Sequence, residues 1–326
     1  MRALVTGATG FVGSHLVEAL AARGDEVVVL ARRPERAAPL ARFGVQVAIG
    51  TLDDADALAA AARGAAVVYH LAGLTAAARP RDFFLANEAG TRRLVEAVRR
   101  TAPGLARFVY LSSQAALGPS APGQRLGEDA PCRPVTAYGR SKLAGETVVR
   151  AAEGLPWTIV RPPAVYGPRD REFLKMFQMV RGGLAPVLGT GAQQVSLVFA
   201  PDLADATVRA GTAPAAIHQT YHAAHAEVVS TRDLVLAIGR AVGRTPVVLP
   251  VPGLLATPIV GLIGALSAAR GRPSVLNLDK MAEFLAPAWI LSVEKAGREL
   301  GWRAAHDVAE GTRLTAESYR ADGLLR

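Results

Sequence analysis

The sequence lacks the features that mark secreted proteins and nucleic-acid-binding proteins. Its 326 residues include a single cysteine, Cys132, so no disulfide can form within the chain, and this usage is typical of a reducing compartment. The N-terminus opens on an apolar strand pattern, without the basic and apolar regions of a secretory signal. These absences predict a cytoplasmic protein whose fold depends on a hydrophobic core, and 50% of its residues are apolar.

Aromatic residues are also scarce, and the positive charge is dispersed. Aromatic residues make up 6% of the chain, and the formal net charge is +9. A basic balance is typical of proteins that bind nucleic acid or anionic lipid. The arginines are nevertheless scattered without a long run of like charges, and the sequence carries no nucleic-acid-binding motif. We therefore expect no nucleic-acid partner, and the sequence predicts no metal site.

Short apolar runs alternate with helical patterns in the first half of the chain. The runs are almost continuously apolar, which indicates strands buried on both faces. Strand–helix alternation predicts an α/β fold built on a Rossmann-type doubly wound parallel sheet, which binds ligands at the carboxyl ends of its strands. The predicted strands are Ala3–Val5, Glu26–Leu30, Val45–Ile49, Val67–Leu71, Phe108–Ser112, Thr158–Arg161 and Val195–Phe199. The predicted helices are Phe11–Ala22, Asp54–Ala62, Glu88–Arg99 and one that begins at Asp202.

Glycines and prolines interrupt this pattern after Pro162. We assign residues 1–165 to a dinucleotide-binding domain, with residues 195–212 returning to it. Residues 166–194 and 213–326 are assigned mainly to a smaller, interleaved C-terminal substrate-binding region.

One segment, Pro252–Ala269, is strongly apolar. It lies near the lower length limit for a membrane span, but Pro258 and several glycines interrupt it. A buried or pocket-lining helix is the favoured interpretation, and a lipid-facing patch is the alternative. Membrane association is therefore not expected, although the sequence leaves it open.

A glycine-rich loop, TGATGFVG, follows the first strand and opens the first helix. Gly7 permits a tight turn, Gly10 lets the backbone approach a pyrophosphate, and Gly13 lets helix and strand pack closely. The helix N-terminus then offers N–H groups and a partial positive charge to phosphates. This context predicts a dinucleotide site. The predicted contacts from the loop are Gly7, Thr9, Gly10, Phe11, Val12 and Gly13.

The end of the second strand bears on which dinucleotide is bound. Enzymes that prefer NAD usually place Asp or Glu there to bind the ribose 2′-hydroxyl. This chain has Ala31 followed by Arg32 and Arg33, and guanidinium groups pair with a 2′-phosphate. We therefore predict NADP(H) as the preferred cofactor and NAD(H) as the alternative. Asp53 and Asp54, after the third strand, either lie near the adenine or cap the next helix.

A tyrosine and a lysine form the candidate proton-transfer site. Tyr138 and Lys142 lie four residues apart, which places both on one face of a helix. A phenol has a pKa near 10, too high for a base at neutral pH, and a neighbouring ammonium lowers it. Ser112 and Ser113 end a predicted strand, where a hydroxyl can donate to a substrate carbonyl. The chain has only four lysines, so the position of Lys142 is informative.

Together these motifs resemble the extended form of the short-chain dehydrogenase/reductase family. The resemblance covers nearly the whole chain, and the matching segments occur in the family's order. They are TGATGFVG, HLAG at His70–Gly73, NEAGT at Asn87–Thr91, LSSQAALG, YGRSK, RPPAVYGP at Arg161–Pro168 and ELGW at Glu299–Trp302.

The resemblance implies a role for each polar residue of the site. Tyr138 is then the general acid/base, and Lys142 binds the nicotinamide ribose and tunes Tyr138. Ser113, rather than Ser112, orients the carbonyl. Dimers are common in the family, which implies a homodimer. Further cofactor contacts are implied at Leu52, Leu71, Ala72, Gly73, Asn87 and Pro162, besides Tyr138 and Lys142.

Three departures from the family's sugar-nucleotide enzymes narrow the activity. Gln114-Ala115 stands where dehydratases have Asp-Glu, Ala164 stands where many members have Asn, and Val195 replaces an arginine that grips a substrate diphosphate. Arg169 or Arg171 could substitute for that arginine. The C-terminal half instead resembles the branch of 3β-hydroxysteroid dehydrogenases, dihydroflavonol reductases and 2-alkyl-3-oxoalkanoate reductases.

We therefore predict an NADP(H)-dependent oxidoreductase that interconverts a secondary alcohol and a ketone. Its small-molecule substrate is bulky and largely apolar, like a hydroxysteroid, a dihydroflavonol or a 3-oxoalkanoate. One alternative is a nucleotide-sugar 4-epimerase with tightly bound NAD. A second is a non-catalytic, NADP-binding redox sensor, against which the intact set of Ser113, Tyr138 and Lys142 argues.

Overall fold

The computed structural model describes residues 1–254, 256–258, 260–261 and 278–325. Its centre is a sheet of seven strands, all paired in parallel. In spatial order the strands are β10 (Gln219–His222), β6 (Trp157–Arg161), β5 (Arg107–Leu111), β4 (Val67–His70), β1 (Arg2–Thr6), β2 (Glu26–Ala31) and β3 (Gln46–Ile49).

Helices cover both faces of this large sheet. One face packs against α1 (Phe11–Ala22), α2 (Pro34–Ala37) and α9 (Ala200–Thr212). The other packs against α3 (Ala55–Ala62), α5 (Gly90–Thr101) and α7 (Ala137–Arg150). Because both faces are buried, strands such as β5 can be apolar at almost every position. The predicted doubly wound parallel sheet is confirmed.

The predicted elements of the large sheet are found with small shifts at their ends. The first helix has the predicted bounds. The second begins at Ala55, because Asp54 caps it and accepts a hydrogen bond from the Ala57 N–H at 3.0 Å. The capping interpretation of Asp54 is therefore confirmed. The third begins at Gly90, and a π-helical turn over Leu85–Ala89 precedes it.

A smaller region lies beside the large sheet and has its own core. Its four-stranded sheet contains β7 (Ala164–Tyr166), β9 (Gln194–Phe199), β11 (Val228–Ser230) and β13 (Ala288–Trp289). A separate parallel pair contains β8 (Leu184–Leu188) and β12 (Val247–Val251). The helices of the region are α8 (Arg171–Arg181), α10 (Thr231–Val242), α11 (Leu278–Leu285), α12 (Glu294–Leu300) and α13 (Val308–Ala321). Short helices α4 (Pro80–Phe84) and α6 (Gln114–Leu117) follow β4 and β5.

The two regions interleave more than the predicted ranges suggest. Within 195–212, α9 packs on the large sheet, whereas β9 belongs to the four-stranded sheet. Within 213–326, β10 is the edge strand of the large sheet, which the sequence analysis did not predict. The part of Pro252–Ala269 beyond residue 261 lies outside the described residues. Nowhere in the described part of the chain is a helix long and apolar enough for a membrane crossing.

Candidate active site

The glycine-rich loop closes tightly against the loop that follows β4. Gly7 has φ +76°, and a Cβ added there would lie 2.6 Å from the Ala72 nitrogen. A Cβ added at Gly13 would lie 2.1 Å from the Gly7 carbonyl oxygen. Both positions therefore exclude a side chain, and the backbone itself forms the wall of the crevice.

The N-terminus of α1 opens into this crevice. Gly10 is the N-cap residue and supplies no side-chain cap, and Thr9 and Gly10 are exposed. The first N–H groups of a helix have no partner within the helix, and the helix dipole adds positive charge there. Phe11 and Val12, at the first two helical positions, are only half-buried. This cradle of bare backbone fits a pyrophosphate.

Arg32 and Arg33 stand beside the glycine-rich loop. The register of β1 and β2 pairs Thr6 with Leu30, so both arginines follow the end of β2 near Gly7. Both are exposed, and among the described residues neither forms an ion pair. Their guanidinium groups are therefore available to an anionic ligand.

Leu52 and the two aspartates after β3 have different surroundings. Leu52 is half-buried beside α5, where a Cβ added at Gly90 would lie 2.8 Å from its Cδ1. Asp53 forms an ion pair with Arg93 at 2.7 Å. With Asp54 capping α3, both carboxylates have protein partners.

A buried histidine, His70, holds the loop after β4 in place through hydrogen bonds. His70 Nδ1 lies 2.7 Å from Thr6 Oγ1, and its Nε2 lies 2.9 Å from Thr91 Oγ1. Burial lowers the pKa of His70 to about 3, so the ring stays neutral, with one donor and one acceptor. Thr6 Oγ1 also accepts from the Ala72 N–H at 3.3 Å. The half-buried Leu71 and Ala72 and the exposed Gly73 are thereby held against Gly7.

Asn87 joins the same loop to the helix that carries Tyr138. Its amide oxygen accepts from the Leu74 N–H at 2.8 Å, and its amide nitrogen donates to the Leu74 carbonyl at 3.0 Å and to Ser141 Oγ at 2.9 Å. Ser141 in turn donates to the Tyr138 carbonyl at 2.7 Å. The side chain is fully buried. Its hydrogen bonds orient the walls of the crevice, and its predicted contact with the cofactor stays a prediction.

The two serines after β5 have separate partners. Ser112 is buried and donates to Glu146 Oε1 at 2.6 Å. Ser113 is half-buried and caps α6 by accepting from the Ala115 N–H at 3.1 Å, and its hydroxyl opposes the rise in the pKa of the nearby Tyr138 phenol. The hydroxyl that can reach a substrate oxygen beside Tyr138 is therefore that of Ser113.

Tyr138 and Lys142 lie in the first two turns of α7. Burial raises the pKa of Tyr138 to about 12, although the nearby Ser113 hydroxyl opposes that change. Burial also lowers the pKa of Lys142 to about 7, and the nearby Glu146 carboxylate opposes it. Lys142 Nζ donates to the Leu111 carbonyl at 2.6 Å and lies 4.3 Å from the centre of the Tyr110 ring. At neutral pH the Tyr138 phenol is therefore protonated.

Glu146 is a residue of the site that the sequence analysis missed. It is fully buried and accepts from Arg161 Nε at 2.8 Å and Nη2 at 2.6 Å. With Ser112 it joins the ends of β5 and β6 to α7. A signal existed, because Glu146 lies one turn after Lys142 on the same face of the helix. The Glu146 carboxylate raises the pKa of Lys142 and so supports the charge of that lysine.

Beyond β6, the residues Gln114, Pro162, Ala164 and Val195 are uncharged. Ala164 is exposed on β7 and pairs with Leu197 of β9, so Val195 is a near neighbour on the same small sheet. Pro162 is buried, and its carbonyl accepts from the Gln114 N–H at 2.8 Å. The Gln114 amide nitrogen is buried and has no hydrogen-bond partner in the described part of the chain. That nitrogen is free to donate to a bound molecule.

The predicted substitutes for the missing arginine are not equivalent. Arg169 donates to Ser14 Oγ at 3.0 Å and forms an ion pair with Glu18, both on α1. Arg171 is exposed at the start of α8. Arg169 is therefore already bound to two residues of α1.

Comparison with known proteins agrees with this arrangement. A family model described as the NAD dependent epimerase/dehydratase family matches residues 3–224. A ceramide reductase from Caulobacter vibrioides is 34% identical over 325 residues, which cover 98% of this chain and 95% of the relative. A 2-alkyl-3-oxoalkanoate reductase from Stenotrophomonas maltophilia is 29% identical over 344 aligned positions, covering 98% of this chain and all of the relative.

A solved structure extends the match to the fold of the whole chain. The Thermus thermophilus UDP-glucose 4-epimerase in complex with NAD superimposes with a TM-score of 0.78 at 27% sequence identity. The superposition covers 98% of this chain and 99% of that one. With a sheet, a crevice and a family model that agree, the chain belongs to the NAD-dependent epimerase/dehydratase family, and it is an NAD(P)-dependent dehydrogenase/reductase of the extended short-chain type.

Proposed function

We propose that this protein reduces the ketone of a bulky, largely apolar substrate with NADPH. The observation that carries the proposal is that the end of β5, followed by Ser113, meets the first turns of α7, which carry Tyr138 and Lys142, where Lys142 Nζ donates to the Leu111 carbonyl at 2.6 Å. When bound, the nicotinamide supplies the hydride to the carbonyl carbon.

Three side chains do the remaining work. Ser113 donates a hydrogen bond to the carbonyl oxygen and stabilises the negative charge that develops there. Tyr138, which is protonated at neutral pH, gives its proton to that oxygen. Lys142 binds the ribose hydroxyls and, when charged, stabilises the phenolate that remains. Glu146, one turn after Lys142 on the same helix, raises the pKa of Lys142 and so supports that charge.

The cofactor lies along the carboxyl ends of β1, β2, β4 and β5 in this proposal. The backbone at Gly7, Gly10 and Gly13 receives the pyrophosphate. Arg32 and Arg33 pair with the 2′-phosphate, which gives the preference for NADPH. The remaining predicted contacts, which line the crevice or border it, are Thr9, Phe11, Val12, Leu52, Leu71, Ala72, Gly73, Asn87 and Pro162.

A change of both arginines tests the cofactor preference. Arg32→Ala with Arg33→Ala should weaken NADPH binding roughly 10- to 100-fold and leave NADH binding unchanged, because only the 2′-phosphate contact is lost. Fluorescence titration of both nucleotides measures this ratio. Arg36→Ala, at another exposed arginine four residues after Arg32, is the matched control. An equal loss for both nucleotides would refute the assignment.

The composition of the substrate side supports an apolar ketone. Gln114-Ala115 provides no acid or base for the elimination of water, Val195 provides no charge, and Arg169 is bound to α1. The ceramide and 2-alkyl-3-oxoalkanoate reductases that the chain resembles act on lipid-like molecules by name. We extend the proposal to a substrate-binding region at 166–194 and 213–326, a homodimer and a cytoplasmic location.

Consumption of NADPH with a panel of ketones tests the activity. Keto lipids, 3-ketosteroids, dihydroflavonols and β-keto acids form one set, and UDP-, GDP- and dTDP-sugars form the other. We expect turnover of one apolar class and none of the sugar nucleotides. Epimerised sugar without net use of NADPH would contradict the proposal.

A nucleotide-sugar 4-epimerase is the second candidate. It is favoured by one observation, the match of nearly the whole chain to an NAD-bound UDP-glucose 4-epimerase. A redox sensor that holds NADP without turnover would require that Tyr138→Phe leave the protein's function unchanged. The product analysis of the sugar panel and that variant separate these candidates from the reductase.

A further inference from the structure

Helix α11 caps the helix that carries Tyr138. Both carboxylate oxygens of Asp279 accept from the Ala137 N–H, at 3.1 and 2.8 Å. Ala137 is the first residue of α7, so this N–H has no partner in its own helix. Thr136 is the N-cap residue of α7, and its side chain accepts from the Gly139 N–H at 3.0 Å. A residue distant in sequence therefore completes the N-terminal turn in which Tyr138 lies.

The same helix brings a charged pair to Tyr138. Glu283 accepts from Thr136 Oγ1 at 2.7 Å with one oxygen and from Lys280 Nζ at 2.6 Å with the other. Lys280 Nζ lies 4.7 Å from the centre of the Tyr138 ring. The side chains of Lys280 and Glu283 are only 13% and 16% exposed. Because water is largely excluded, their charges are weakly screened at the ring.

The two charges act on the phenol in opposite senses. A cation over an aromatic ring is attracted to its face and stabilises a phenolate. The Glu283 carboxylate disfavours the phenolate and raises the pKa of Tyr138. From α4, Phe83 packs against the ring at 5.9 Å between ring centres. In the described part of the chain, the charged groups on the elements that carry and cap Tyr138 include Asp279, Lys280 and Glu283 on α11 and Arg140 and Lys142 on α7.

We propose that α11 is a positioning element of the active site, in which Asp279 fixes the first turn of α7 and the Lys280–Glu283 pair sets how readily Tyr138 releases its proton. The proposal rests on the proposed role of Tyr138 as proton donor. Asp279, Lys280 and Glu283 are not proposed to touch the substrate carbonyl, and they act through Tyr138.

Titration of the phenol itself tests the proposal without any turnover. The chain is labelled with 3-fluorotyrosine, and fluorine NMR follows each of the six tyrosines with pH. Fluorine makes a phenol more acidic, which brings the titration into a pH range that proteins tolerate. Tyr138→Phe identifies its signal by removing it. Burial raises the pKa of each of the other five, Tyr69, Tyr110, Tyr166, Tyr221 and Tyr319.

The two members of the pair should shift the titration in opposite directions. Lys280→Met should raise the pKa of Tyr138 by roughly half a unit to one unit, because a compensating cation is lost. Glu283→Gln should lower it by a similar amount, and the glutamine oxygen can still accept from Thr136. Lys175→Met is the matched control, since Lys175 forms the same kind of ion pair with Glu172, at 2.8 Å and three residues away in sequence, on α8.

The outcomes separate this proposal from the proposed function. Opposite shifts in the two variants, with none in the control, support a positioning role for α11. Unchanged titration in both, or shifts of the same sign, would overturn it. Glu283→Gln retains the hydrogen-bond acceptor, so it gives the decisive result if Lys280→Met does not fold. A failure to turn over any ketone would refute the reductase assignment and leave the titration result intact.

Discussion

The large sheet and the smaller region place their functional atoms in different ways. In the large sheet, Leu4 and Val5 are fully buried, and the strands end in loops whose backbone forms the crevice. In the smaller region, the β8–β12 pair leaves Leu184 52% and Val247 60% exposed. The proposed function assigns the chemistry to the buried strand ends and the helix beside them, and the choice of substrate to side chains of short strands and loops, where many substitutions are tolerated.

This contrast implies that changes at the strand ends of the large sheet, and in the first turns of α7 beside them, have the largest effects on catalysis. Tyr138→Phe should lower kcat about 10²- to 10⁴-fold, because the proton donor is lost while the ring and its packing stay. Steady-state kinetics with the best ketone from the panel measures it. Tyr319→Phe removes a buried hydroxyl bonded to the Asp170 carbonyl in the smaller region and should leave kcat nearly unchanged. Equal losses in both variants would indicate damage to the fold instead.

The two adjacent serines after β5 are expected to differ in role, one in catalysis and the other in stability. Ser113→Ala should lower kcat about 10²- to 10³-fold with little change in stability, as the loss of a donor to a developing oxyanion does. Ser112→Ala should instead lower the free energy of unfolding by about 1–3 kcal/mol, because it removes a donor to buried Glu146. Kinetics and urea unfolding of both variants distinguish the roles. The reverse pattern would assign the substrate contact to Ser112.

Much of the large sheet and its glycine-rich loop could be predicted from the sequence. Continuous apolar runs identify strands buried on both faces, and the spacing of Gly7, Gly10 and Gly13 requires close backbone contacts that the structure shows. The strand β10 was missed because Gln219–His222 is short and largely polar. Its place beside β6 depends on tertiary pairing.

The contacts of the smaller region could not be predicted in this way. Asp279 and Ala137 are separated by 142 residues, so no local pattern joins the cap to its helix. The roles of Ser112 and Ser113 were assigned by resemblance, and only the position of Glu146 gives the physical reason for the difference. The exposed strand β12 is an apolar run, VVLPV, but its proline is typical of a loop or an edge strand and conceals the strand in the sequence.

A smaller effect is expected from the packing of the glycine-rich loop. Gly13→Ala places a methyl group 2.1 Å from the Gly7 carbonyl oxygen, and overpacking of this kind costs about 1–3 kcal/mol. Both the unfolding temperature and NADPH affinity should fall. Gly104→Ala, where an added Cβ meets no atom within 4 Å, is the matched control. A Gly13→Ala protein with unchanged affinity would show that the loop does not depend on this contact.

The last expected effect concerns stability in acid, between pH 6.5 and 3. His70 has its pKa lowered from 6.5 to about 3 by burial, so the unfolded chain binds the proton more tightly than the folded one. The stability that the neutral ring contributes is present above pH 6.5 and is lost as the pH falls toward 3. Each unit of that fall costs about 1.4 kcal/mol at most. Urea unfolding at several pH values should show a shallower dependence of stability on pH in His70→Gln than in the unchanged protein. Equal slopes in the two proteins would contradict this assignment.

The fate of the hydride tests most directly whether this protein carries out net reduction of a ketone. With NADPH deuterated at C4 of the nicotinamide, mass spectrometry of the product shows whether the deuterium leaves the enzyme. Net reduction by the Ser113–Tyr138–Lys142 site predicts an alcohol that carries one deuterium on the former carbonyl carbon. An epimerised sugar nucleotide without deuterium from the added cofactor would contradict net reduction.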